Sequence, residues 1–275
     1  MILMNEERTG KINTDAVEST AVDERILAAE RLRARMEADE KKRRLMRRIV
    51  SAVLILVFVP SVVLVGMLEW HDRKYYIVSI LIIIFSMIPF FFVFEKRRPR
   101  ARELTLIAVM VALGVAGRAA FAMLPQFKPI AAIVIITGVS LGSEAGFITG
   151  ALTAFVSNMF FGQGPWTPWQ MFALGLIGFL SGLLFNDQIK TKWKLFLLCA
   201  FGAFATVGIY GQIMDTQYVF SAAQNVTWDM FLAAYASGLP MNLIFAAATV
   251  FFLLVLTKPL LNKLGRIKKK HGVFI

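Results

Sequence analysis

Long apolar runs alternate with short polar breaks along most of the chain, and the breaks carry the positive charge. After a polar stretch over residues 1–48, the apolar runs cover Ile49–Leu68, Tyr75–Phe94, Leu104–Met123, Ile130–Leu141, Ala145–Phe161, Met171–Phe185, Leu195 to about Met214, and Asp229–Leu256. At ~1.5 Å of rise per residue, about twenty apolar residues cross a hydrocarbon core of ~30 Å. The pattern predicts an all-α, polytopic membrane helical bundle of eight spans. Pro60, Pro89 and Pro240 fall inside runs and predict kinks, or an outward extension of the last helix. Residues 130–161 read either as two crossings broken at Gly142–Glu144 or as one re-entrant unit.

Glycine has its own period. Gly138, Gly142, Gly146 and Gly150 are four apart, and Gly175, Gly178 and Gly182 follow in the next run. Small residues at that interval let helices approach closely, so these glycines predict tight packing and no chemistry. Ala108, Ala112 and Ala116 repeat the interval in the third run.

Composition agrees: 57% of the residues are hydrophobic and 24 are phenylalanine. The formal charge of +12 argues against nucleic acid as a partner, because the basic residues gather just outside apolar runs. Lys41–Arg48, Lys96–Arg102, Lys190–Lys194 and the tail from Lys258 to Lys270 fall on one side of the alternation. The segments 69–76, 124–129, 162–170 and 215–228 fall on the other, with only Arg73, Lys74 and Lys128. The excess predicts a multi-pass plasma-membrane protein with both termini cytoplasmic. The first 48 residues then form a basic arm beside membrane lipid. No cleavable leader is expected, since apolar sequence starts only near Ile49.

Catalysis finds little support. The two histidines, His71 and His271, lie in polar flanks, and no phosphate-binding G-x-x-x-x-G-K-[ST] loop occurs. The lone Cys199 sits in an apolar run as a small core residue. No metal and no cofactor are expected.

One polar-aromatic stretch stands out: MFFGQGPWTPWQM, residues 159–171, without a single charge. Gly162 and Gly164 allow a sharp turn, and Pro165 or Pro168 suits the first turn of the following helix. Trp166 and Trp169 either anchor a helix at the headgroups or roof a site for a neutral organic ligand. Gln163 and Gln170 flank them, and Asn158 lies a turn earlier. Arg118, about five residues from the end of its run, either snorkels to the surface or meets a ligand. With Tyr210 and Tyr218, these residues make the candidate substrate site: Arg118, Asn158, Gln163, Trp166, Trp169, Gln170, Tyr210 and Tyr218. Gln212, Asn242 and Trp228 are further polar and aromatic candidates.

The stretch SNMFFGQGPWTPWQM, within the block from Gly117 to Phe185, resembles the substrate-binding S component of energy-coupling factor (ECF) transporters, in the group handling cobalamin and related corrinoid or benzimidazole compounds. The likeness covers about Arg100 to the C-terminus. It implies a six-helix substrate-binding domain over 100–275 and a vitamin substrate. It also implies partners: a transmembrane coupling protein and two cytoplasmic ATPases, so that ATP is hydrolysed elsewhere. An A-x-x-x-A pair in the first family helix docks on the coupling protein, and Ala108 and Ala112 match it. Residues 1–48 (basic arm) and 49–99 (an accessory transmembrane hairpin with a basic loop) depart from the six-helix pattern. From a different class, the chain could be a membrane scaffold or sensor that binds partner helices rather than a solute.

Overall fold

The computed structural model describes residues 101–185, 189, 191–223 and 226–271, together with the isolated positions 32, 36, 84, 87 and 88. Two compact units divide the chain, Met1–Val53 and Leu54–Ile275. In the first, Leu32 and Met36 are helical and exposed. The expected basic arm and accessory hairpin otherwise lie outside the described residues, as do Gln224 and Asn225.

In the second unit the described residues are helical and contain no strand. The helices are α1 (Ala101–Ala120), α2 (Ile130–Leu141), α3 (Ser143–Phe161), α4 (Thr167–Leu184), α5 (Lys192–Ala222) and α6 (Trp228–His271). They match the six helices expected over 100–275. Four of them, α1, α4, α5 and α6, are long and apolar enough to cross a membrane.

The α2–α3 pair shows why residues 130–161 were ambiguous. All twelve residues of α2 are buried, so no face is left for lipid and its apolar run has no helical period to read. At ~1.5 Å per residue α2 is about 18 Å long, too short to span, whereas α3 reaches about 28 Å. A single residue, Gly142, separates them; its φ of 100° is left-handed backbone that suits glycine.

Glycine sets the packing of α2, α3 and α4. A Cβ on Gly138 or Gly146 would fall onto the carbonyl oxygen of Gly178, and one on Gly150 onto that of Leu174. The backbones are therefore in direct contact, as the four-residue interval predicted. The Ser181 hydroxyl adds a hydrogen bond to the Ile135 carbonyl at 3.1 Å, tying α4 to α2.

α1 packs through Ile107, Met110, Val111 and Gly114, with Gly114 against Thr153 of α3. Its alanines face the other way: Ala108, Ala112 and Ala116 are exposed. Gly117 abuts the Pro129 ring, which fixes the 121–129 turn against the end of α1.

α5 runs on past the expected end near Met214 as far as Ala222, so Asp215, Gln217 and Tyr218 are helical and not in a loop. Pairing across helices explains it. Asn242 of α6 donates to the Asp215 carboxylate at 3.0 Å, and Thr216 shares a hydrogen bond with Tyr235 at 2.9 Å. Polar residues that looked like loop are thus held between two helices. Mid-way, residues Ala205–Gly211 take π-helical geometry. α6 has 44 residues with Pro240 and Pro259 inside it, well beyond the ~20 that a bilayer needs.

Candidate functional site

The lid between α3 and α4 follows from its glycines and prolines. Gly162 ends α3 at a φ of 105°, and Pro168 occupies the first turn of α4, where its missing N–H costs nothing. The Trp166 ring folds over Gly164, which leaves Trp166 41% exposed at the surface.

Beneath this turn a polar network joins α1, α3, the lid and α4. Arg118 Nη1 donates to Ser157 Oγ at 2.6 Å and to Asn158 Oδ1 at 2.7 Å. Asn158 Nδ2 donates to Thr167 Oγ1 at 3.0 Å and to Gln170 Oε1 at 2.8 Å. Thr167 Oγ1 donates to Gln163 Oε1 at 2.9 Å and accepts from the Gly164 amide at 3.2 Å. Gln163 Nε2 closes the series on the Phe155 carbonyl at 3.1 Å.

Tyr210, placed by the π-helical segment, lies beside the Gln170 amide and within electrostatic reach of Arg118. Its ring meets Phe245 edge-on at 5.0 Å. The Arg118 guanidinium stands 5.0 Å from the Phe161 ring centroid, a cation–π arrangement. Lys128, half-buried in the turn after α1, is pushed below its ordinary pKa by burial first and by the Arg118 charge second. Among the described residues no carboxylate pairs with Arg118.

Six of the eight expected site residues thus gather at one end of the bundle. Arg118, Asn158 and Gln170 are linked directly, Gln163 joins them through Thr167, and Tyr210 lies beside Gln170. Trp169, 4% exposed, lies in the first turn of α4 and packs on Phe220 of α5 at 6.0 Å. Its indole N–H is buried with no hydrogen-bond partner among the described residues. Trp166 remains at the surface of the lid. Tyr218 is not brought in: with α5 helical here, Gln217 and Phe220 face inward and Tyr218 is 63% exposed. Asn158 is wholly buried, and both ends of its amide are engaged within the protein. It organises the cluster, while Arg118 Nε and Nη2 make no hydrogen bond among the described residues.

Thr167 and Ser157 belong to the network and were not anticipated. A signal existed for Thr167: it is the only hydroxyl residue in the uncharged lid from Gly162 to Gln170. Asp215 was assigned to a loop, and its pairing with Asn242 could not be read from one sequence.

No group of three His, Cys, Asp or Glu suited to a metal occurs among the described residues. The fold defines a multi-pass helical membrane protein, and among the described residues a dense polar cluster lies beneath the lid at one end of the bundle. Residues 100–265, more than half of the chain, match the family model for the ECF-type riboflavin transporter S component. The chain belongs to that family, and as a transporter S component it is not an enzyme. The match supports the ECF assignment and does not confirm the corrinoid grouping. No curated protein and no solved structure gives a match.

Proposed function

We propose that this chain is the substrate-binding subunit of an ATP-driven importer, and that its substrate is riboflavin or a close flavin relative. The observation that carries the reading is the amide-rich cluster around Arg118, without a paired carboxylate among the described residues, in a chain of the riboflavin S-component family. A flavin ring presents two carbonyl acceptors, an imide N–H and a flat aromatic face. Among the described residues Arg118 Nε and Nη2 and the Trp169 indole N–H have no hydrogen-bond partner, and they suit the carbonyls. Trp166, 41% exposed in the lid, offers aromatic surface. The Asn158–Gln170 pair supports these groups from behind. Cobalamin or a related corrinoid, expected from the resemblance of the lid block to S components, has no support from the family match.

The lid end faces the exterior in this reading, as the distribution of basic loops suggests, and both termini are cytoplasmic. Import is powered by a transmembrane coupling protein and two cytoplasmic ATPases, with Ala108 and Ala112 of α1 as the docking face. The scaffold alternative is not favoured by the family match.

Flavin fluorescence tests the proposal. Purified chain is expected to quench riboflavin at a one-to-one end point and to leave cobalamin unbound. Arg118→Met is expected to weaken riboflavin at least tenfold, about 1.4 kcal/mol. Cobalamin binding without riboflavin binding refutes the flavin assignment.

A further inference from the structure

The hydrogen bonds beneath the lid have a fixed direction. The series ends at the Phe155 carbonyl, which can only accept, and begins at the Arg118 guanidinium, which can only donate. Every group between is then determined. Gln163 spends its N–H on Phe155, so its oxygen must accept from Thr167. Thr167 spends its one proton on Gln163, so it must accept from Asn158. Asn158 therefore turns its NH2 toward the lid and its oxygen toward Arg118.

Thr167 is the narrow point of the series. A hydroxyl has one proton and two lone pairs, and here all three are used: Gln163 takes the proton, while Asn158 and the Gly164 amide donate to the oxygen. The side chain is 5% exposed, so water is a poor substitute. Gly164 also accepts the Thr167 backbone N–H at 2.9 Å, which makes the lid turn and this residue a single unit.

We infer that Thr167 is the positioning residue that couples the ligand-facing arginine to the lid: through Asn158 it sets the direction in which Arg118 is held, and through Gln163 and Gly164 it holds the turn 162–167 closed. The ligand role of Arg118 rests on the function proposed above; the coupling itself rests on the hydrogen bonds alone. Anything that draws Arg118 away from Asn158 frees the acceptor that fixes the amide, and the lid loses part of its tether. Bonds in such a series polarise one another, so losing one weakens its neighbours.

Two experiments test the coupling. The first needs no flavin and leaves Thr167 intact. In full-length protein in detergent, Arg118→Met is expected to speed hydrogen exchange of the peptide covering 162–167 by at least about threefold, with exchange in α2 unchanged. Unaltered exchange in that peptide overturns the inference, whatever the substrate proves to be.

The second measures flavin release. Thr167→Val is expected to release riboflavin about tenfold faster, the worth of one buried hydrogen bond. Thr167→Ser, which keeps the hydroxyl, should restore release to within about twofold. With Arg118→Met already present, Thr167→Val should add little, since both changes break one series. Independent, additive losses overturn the coupling while leaving flavin binding intact; a wild-type chain that binds no flavin refutes the proposed function and leaves the exchange result standing.

Discussion

Two stripes of small residues run through this bundle at the same four-residue spacing, and they end in opposite situations. The glycines of α2 and α3 are buried, pressed onto the backbone of α4. The alanines 108, 112 and 116 of α1 are exposed, with Val109 at 56% and Leu113 at 39% exposure beside them. The spacing alone does not separate the two. What differs is the rest of each helix. α2 is apolar on every side and must be enclosed by protein, whereas α1 has one packed face and leaves the other open. Glycine permits backbone contact inside a rigid block; alanine keeps a smooth, methyl-lined surface that a second helix can approach.

The largest effect in this comparison belongs to Gly138→Ala. The new methyl would overlap the Gly178 carbonyl and crowd the Ser181 hydroxyl, and neither helix has room to give. Overpacking of this kind costs about 1–3 kcal/mol or more. A marked fall in thermal midpoint and poor monodispersity in detergent are expected. A variant as stable as wild type would mean that the α2–α4 contact is looser than its geometry.

Ala108→Trp and Ala112→Trp should do the reverse. Both side chains are exposed, so the isolated chain should change by no more than about 0.5 kcal/mol. Co-purification with the coupling protein should fall at least tenfold, about 1.4 kcal/mol, because a bulky ring holds the two helices apart. Riboflavin affinity should stay unchanged, since the alanines lie on the far face of α1 from Arg118's bonds to α3. If both variants still assemble, the open stripe faces only lipid.

The sequence revealed the helices through their length and hydropathy, which is physics the chain carries locally. The small-residue stripes and the glycine-proline lid were equally local, and the fold brings six of the eight candidate residues to one end of the bundle. Failures came where a distant partner decides. Asp215 and Thr216 look like loop until Asn242 and Tyr235 are known to satisfy them from α6. Tyr218 lies apart from the cluster because a helical phase, not a loop, sets its direction. Thr167 was passed over because one hydroxyl gains its weight only from three partners that the fold brings together. Substrate class was the least legible: a charge-free tryptophan lid suits several vitamins, and it was the family match that moved the reading from corrinoid to flavin.

Gly142→Ala should have the smallest cost to the fold among the glycines of the buried period, and it separates two reasons for being glycine. Gly142 keeps the four-residue register of Gly138, Gly146 and Gly150, yet a Cβ there would meet nothing within 4 Å. Its requirement is the left-handed φ of 100° between α2 and α3. With ψ at 166° this is a region essentially reserved for glycine, so alanine there costs about 1–3 kcal/mol in backbone strain, without displacing a neighbour. Chemical unfolding should therefore place Gly142→Ala between wild type and Gly138→Ala, with flavin binding retained. A loss as large as that of Gly138→Ala would show that the period is a packing rule at all four positions. A lesser loss means that one of the four serves to end a helix, and that only three of them hold the block together.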